Sequence, residues 1–176
     1  NMTKVENNYL IMELVGTEGE MTKVFMNRGQ FDVAEGHCQR CLAYSKRSLD
    51  GEVKSDLMFD ALSIYCSLRE RQDDLFGAVS FAEECYNTAI EAYDPVHPTV
   101  LKASGLMINL LCKRGDLYDA ERYAQVTYGT LRDKKNGIDQ EGEAMAMGAQ
   151  NLADVILLQN GDPIKTEILA REALRI

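Results

Sequence analysis

One seven-residue pattern returns along the chain at nearly constant spacing, and no other feature restricts the fold as much. Gly29-Gln30-Phe31-Asp32-Val33-Ala34-Glu35 is followed by a degenerate copy, Asp73-Asp74-Leu75-Phe76-Gly77-Ala78-Val79. Two further copies are Gly115-Asp116-Leu117-Tyr118-Asp119-Ala120-Glu121 and Gly161-Asp162-Pro163-Ile164-Lys165-Thr166-Glu167. At the sixth position Ala34, Ala78, Ala120 and Thr166 stand 44, 42 and 46 residues apart. Such a period marks one supersecondary unit, which must stack on copies of itself to bury its apolar face.

The columns that follow each copy have helical spacing. Four residues past the sixth position come Cys38, Ala82, Ala124 and Ala170, then Cys41, Cys85, Thr127 and Ala173, then Leu42, Tyr86, Tyr128 and Leu174. Steps of four, three and one trace one stripe of an amphipathic helix, and its small side chains suit close packing. Before each copy lies another helix, with Met21, Ile64, Met107 and Leu152 in one core column and Phe25, Leu68, Leu111 and Ile156 four residues later. In the second and fourth units these columns sit one residue further from the turn, which predicts slightly longer turns there. Gly29, Gly115 and Gly161 suit the left-handed residue that ends a helix, and Pro163 suits the first turn of the next. Helix-interior glycines such as Gly16 and Gly19 predict close helix contact, or a break near Gly16 to Gly19 in the long first segment.

Turn-forming stretches at Ser48–Gly51, Asp94–Pro98 and Lys134–Gly137 divide the chain into units of about 3–48, 52–93, 97–133 and 138–176. The expected fold is all-α, a right-handed α-solenoid of four helix-turn-helix repeats forming one array. Ile168, Leu169, Leu174 and Ile176 keep the last helix apolar where a capping repeat has a polar outer face, so the array is expected to be part of a longer one.

Composition removes several functional classes. Nineteen Lys and Arg against 28 Asp and Glu give a net charge of −9, which repels nucleic-acid phosphates and anionic membrane surfaces alike. The apolar run Leu106–Cys112 is far shorter than the roughly 20 residues of a membrane span. Five Cys, an odd number without a disulfide-framework pattern, fit reduced thiols and a cytoplasmic setting.

These columns resemble the tetratricopeptide repeat (TPR). The long period is similar to that of the kinesin light chain type, as are His97-Pro98-Thr99-Val100 opening one unit and Asn151-Leu152-Ala153 inside another. Gly115–Glu121 and Ala170–Ile176 also match the second helix usual in that type. The resemblance implies a superhelix whose first helices line a concave groove that receives a peptide or protein partner. It implies no catalytic activity and no cofactor. An architectural or self-assembling segment, or the sensor part of a larger signalling protein, is the alternative.

Turning around each first helix away from the core columns locates that groove. The rotation selects Glu20, Lys23 and Asn27, then Ser63, Cys66 and Glu70, then Leu106, Asn109 and Lys113, then Asn151, Asp154 and Leu158. The expected partner-binding residues are Lys23, Asn27, Ser63, Arg69, Asn109, Lys113, Asn151 and Asp154. Amides donate to and accept from a peptide backbone at once, and Lys23, Arg69 and Lys113 can pair with acidic side chains. The resemblance implies that the position of Asn151 touches the bound peptide.

Other chemistry is weaker. Cys38 and Cys41 have the spacing of half a zinc site, but no second pair follows and the small-residue column accounts for both. Cys66 and Cys112 fall on the groove side and are candidate reactive thiols. His37 and His97 lie in different units with no nucleophile motif beside them. Acidic pairs such as Asp73-Asp74 and Glu83-Glu84 lack the ligand spacing of a calcium loop, so no metal site is expected.

Overall fold

A computed structural model describes residues 3–48, 51–133 and 141–173, and the regular elements among them are all helices. They run α1 (Lys4–Asn27), α2 (Phe31–Ser45), α3 (Gly51–Arg71), α4 (Leu75–Ala92), α5 (Pro98–Arg114), α6 (Leu117–Asp133), α7 (Glu141–Leu158) and α8 (Pro163–Ala173). Two compact units emerge, Asn1–Ala92 with α1 to α4 and Tyr93–Ile176 with α5 to α8. The predicted turn at Lys134–Gly137 and the stripe position Leu174 lie outside the described residues.

Each helix pair closes through the same turn. A left-handed residue follows the first helix at Gly29, Asp73, Gly115 and Asn160, with φ of 71°, 62°, 92° and 53°. Its amide donates to the carbonyl three residues back, and the next amide reaches the carbonyl of Phe25, Arg69, Leu111 or Ile156 at 2.9 Å. This paired pattern satisfies carbonyls that the helix end would otherwise leave open. Two sequence expectations need correction. Asn160, not Gly161, takes the left-handed conformation, and a Cβ on Gly161 would stand 2.9 Å from the Ile156 carbonyl oxygen. Glycine is needed there for close approach. The turn of unit two is no longer than that of unit one, since Asp73 precedes Ala78 as Gly29 precedes Ala34. Only the fourth turn carries an extra residue.

The small column sits where predicted. The amides of Ala34, Ala78, Ala120 and Thr166 donate to the carbonyls of Gln30, Asp74, Asp116 and Asp162, closing the first turn of each second helix at 3.0 to 3.1 Å. All four side chains are buried, as are Cys38, Ala82 and Ala124 one turn on. With so little bulk on this stripe, neighbouring helices approach closely, as interiors at crystal-like density require.

In the first compact half, Met26, Ala34, Cys38, Tyr65 and Leu68 form one buried cluster, while Ile11, Val15, Cys41, Leu57 and Ala61 form another nearer the N-terminus of α1. Each large aliphatic side chain so buried contributes about 1.5–3 kcal/mol. α1 is a single unbroken helix through Gly16 and Gly19, opened by a capping box between Thr3 and Glu6. Of the two uses expected for these glycines, Gly19 takes close helix contact and not a break: a Cβ there would lie 2.8 Å from Cδ1 of Ile64 on α3. In the second compact half, Tyr93–Ile176, Leu110, Leu111, Val155 and Ile156 are almost wholly buried.

Aligning the four left-handed residues resets one register. Eight residues before each stand Met21, Tyr65, Met107 and Leu152, and four before stand Phe25, Arg69, Leu111 and Ile156. Unit two therefore runs one residue out of step with the apolar reading, which took Ile64 and Leu68 for these columns. Met21, expected in the core, is 38% exposed. Its counterpart Tyr65 is buried against Ala34 and Cys38 of the preceding helix, and Met21 has no such helix to lie on among the described residues.

Candidate partner-binding faces

The first helices α1 and α3 lie side by side in the first compact half, and a cleft of about 520 Å³ runs between them. Lys23, Met26 and Asn27 line it from α1, and Ser67, Glu70 and Arg71 from α3. Arg71 spans it, donating from Nη2 to Oδ1 of Asn27 at 3.1 Å. Lys23 Nζ pairs with Glu20 at 2.7 Å on its own helix, and both side chains are largely exposed. Exposed pairs of this kind contribute little and exchange readily for another partner.

Of the residues expected on this face, Lys23, Asn27 and Glu70 line the cleft. The corrected register puts Ser67 where Cys66 was expected and brings Arg71 beside Glu70, while Ser63 and Cys66 do not line the cleft. Ser63 is half-buried and its hydroxyl donates to the Asp60 carbonyl. Cys66 is buried, with its thiol 3.4 Å from the Ala78 carbonyl, so it faces α4 and not the groove. Arg69 turns the other way, donating to Glu35 of α2 at 2.5 Å and to Gln72 at 2.9 Å. Sequence reasoning missed Ser67 and Arg71. The left-handed Asp73 was the available signal, since a short polar side chain tolerates positive φ better than most.

In the second compact half α5 and α7 are neighbours in the same sense. Asn109, Lys113 and Asp154 are exposed and Asn151 is half-buried. A Cβ on Gly105 would stand 3.8 Å from Nδ2 of Asn151, which puts the two helices in close register there. Asp154 accepts from Gln150 at 2.7 Å on the same helix. Burial pushes the Cys112 thiol above its ordinary range, and the nearby Asp154 carboxylate adds to the effect. Lys113 on α5 and Leu158, 56% exposed, end the two helices in the same column as Asn27 and Arg71.

The remaining reactive groups have structural settings. His37 Nδ1 lies 2.6 Å from Glu18 Oε2, its ring stacks on Phe25, and Arg40 donates to Glu18 at 3.0 Å. Burial raises the Glu18 carboxyl, but the hydrogen bonds and charges of Arg40 and His37 outweigh it and hold that carboxyl below its usual range. His97 caps α5, accepting from the Thr99 amide at 3.3 Å while stacking on Tyr93. Burial pushes Cys38 up to about 11 and Cys41 to about 12, against an ordinary value of 9.0. Such thiols stay protonated and pack as small hydrophobes. Among the described residues no three His, Cys, Asp or Glu converge as metal ligands would, and no helix is long and apolar enough to cross a membrane.

No protein-family profile matches the chain, and no curated protein matches it. Among solved structures, the crystal structure of BtubC (BKLC) from P. vanneervenii is similar over 100% of this chain and 74% of its own, with a TM-score of 0.70 and 14% sequence identity. At that identity the likeness concerns the fold, an all-α solenoid of TPR-like helix pairs.

Proposed function

We propose that the chain is a protein-binding repeat scaffold of the kinesin light chain type, and that the faces of its first helices receive a peptide or protein partner. The observation that carries this is the α1/α3 cleft, where Lys23, Asn27, Ser67 and Arg71 present donors and acceptors around open space. In the second compact half the same columns supply Asn109, Lys113 and Asp154, with Asn151 one turn away. Such groups suit an extended segment, whose backbone needs donors and acceptors in alternation and whose acidic side chains would replace Glu20 on Lys23. The partner is a protein, not a nucleic acid or membrane, because the net charge of −9 opposes both alternatives. Binding and not catalysis is the activity, and the five unpaired Cys suit the cytoplasm.

The test is affinity capture from a lysate by the parent chain and by Asn109→Ala with Asn151→Ala, read by mass spectrometry and then by titration of the recovered partner. Both side chains are at least partly exposed, so the fold should survive. Loss of interface hydrogen bonds should weaken binding by about 1–3 kcal/mol. Equal capture of every partner by the folded double variant would put the binding surface elsewhere.

A further inference from the structure

A second cavity, of about 710 Å³, opens where α3 begins between the ends of α2 and α4. Lys46 closes α2, Lys54 and Ser55 stand near the start of α3, and Thr88 and Glu91 stand near the end of α4. Its lining runs from Lys46 to Ala92, so every wall belongs to the first compact half. The volume is within the range of about 300–1,000 Å³ usual for ligand sites.

The floor is apolar and fixed. Met58 is 7% exposed, and its sulfur accepts from the Ser45 hydroxyl at 3.2 Å. The rim is charged. Lys46 and Lys54 are exposed, and among the described residues neither pairs with a carboxylate. Lys23, Arg40 and Arg69 of the same half do have carboxylate partners. Ser55 is half-buried, and its hydroxyl makes no hydrogen bond among the described residues. The Thr88 hydroxyl, by contrast, donates to the Glu84 carbonyl at 2.8 Å. Glu91 is the carboxylate that lines the cavity.

Two ammonium groups without a counter-ion and one free hydroxyl suit an anion with more than one charge and several acceptor oxygens. A phosphate monoester carries a charge of about −1.5 to −2 at neutral pH and three such oxygens, whereas a carboxylate carries a single charge and two oxygens. We propose that this cavity receives the phosphorylated side chain of a serine or threonine on a protein partner. Exposure of both ammonium groups favours a side chain held by a larger partner over a free metabolite, whose site would enclose most of its surface. The Met58 floor then takes the apolar part of the partner segment. A net charge of −9 opposes long phosphate polymers, but a single phosphate meets the local balance of two lysines against Glu91. Physiological salt screens the remaining charges beyond about 8 Å. The cavity shares no residue with the α1/α3 cleft, so this inference is independent of the face assigned there.

The probe is phosphoserine blocked as N-acetyl and N-methylamide, titrated into the isotope-labelled 176-residue chain at constant ionic strength and followed by amide NMR shifts. The pH is held at about 7.5, above the second phosphate pKa of about 6. Blocked serine and inorganic phosphate are the comparisons. Saturable shifts are expected at Gly51, Lys54, Ser55 and Thr88 with blocked phosphoserine, and none with blocked serine. Lys46→Gln and Lys54→Gln should each weaken binding about threefold to tenfold, the loss of one partly solvated charge-assisted hydrogen bond. Glu91→Gln should strengthen binding, because it removes a like charge. All three side chains are exposed, and circular dichroism checks that helicity is kept. Inorganic phosphate should bind more weakly than blocked phosphoserine, because it leaves the Met58 floor uncovered. Absence of saturable shifts at these residues, unchanged binding in both lysine variants, or inorganic phosphate binding as tightly as blocked phosphoserine would overturn the proposal.

Discussion

Arg69 of α3 reaches across to Glu35 of α2, with Nη2 2.5 Å from Oε1 and both side chains about three-quarters shielded from solvent. It occupies the column that Phe25, Leu111 and Ile156 fill in the other units, so an ion pair stands where apolar packing is the rule. Gln72 takes a second donor of the same guanidinium at 2.9 Å.

Removing one partner of a shielded pair leaves the other without compensation, and that penalty exceeds what the pair contributes on balance. Arg69→Ala should therefore destabilise the chain by about 1–3 kcal/mol. Arg69→Leu with Glu35→Leu should recover most of that loss, because it restores the apolar character of the column. Urea denaturation of the single and double variants decides the matter. A single variant as stable as the parent would mean that the pair is solvated and energetically idle.

The turns give a second set of expectations, opposite in sign at equivalent positions of different turns. Asp73 is a non-glycine residue at φ 62°, and L-residues in the left-handed region lose about 1–2 kcal/mol relative to glycine. Asp73→Gly should raise the melting temperature. Gly115→Ala should lower it through backbone strain alone, since nothing lies within 4 Å of the added Cβ. Gly161→Ala should also be destabilising, although its φ is ordinary, because the methyl group would meet Ile156. Thermal melts of the three variants separate these causes: if Asp73→Gly lowers the melting temperature, its carboxylate matters more than its backbone.

These turn residues also mark how far the sequence could be read. Helix pairs, the small column and the division of each unit into two helices were legible because Ala34, Ala78 and Ala120 recur with their flanking stripes. The left-handed residue was legible where it was Gly29 or Gly115. It was not legible at Asp73, where no glycine announced it, and the apolar Leu68 offered a convincing but shifted column. That slip carried Ser63 and Arg69 into the expected binding set and left out Ser67 and Arg71. In Asn160-Gly161 both residues tolerate the left-handed region, and the choice between them depends on the distance from Gly161 to the Ile156 carbonyl. Exposure of Met21 was hidden for another reason, since a repeat column says which face a residue shares but not whether a neighbour covers it.

The buried thiols give the last expectation. Desolvation by burial pushes Cys38 up to about 11 and Cys41, Cys66 and Cys85 up to about 12, from an ordinary 9.0. A thiol whose value is raised in the folded state holds its proton longer there than in the unfolded chain. Below pH 9.0 both states are protonated and the folded state keeps its full stability. Between 9.0 and about 12 the unfolded chain ionises first, so stability falls as pH rises through that window. Each unit of difference corresponds to about 1.4 kcal/mol, and several thiols together make the loss steep. The urea midpoint should therefore hold steady below the ordinary thiol value of 9.0 and drop as pH rises through it. Cys38→Ala installs the residue that units two, three and four carry at the same position, and it should fold while making the drop shallower. Thiol labelling of the native chain should modify the half-buried Cys112 first and the other four only as the chain opens. A flat urea midpoint across the alkaline range, or labelling of Cys38 as fast as Cys112, would show that these thiols meet water in the folded chain.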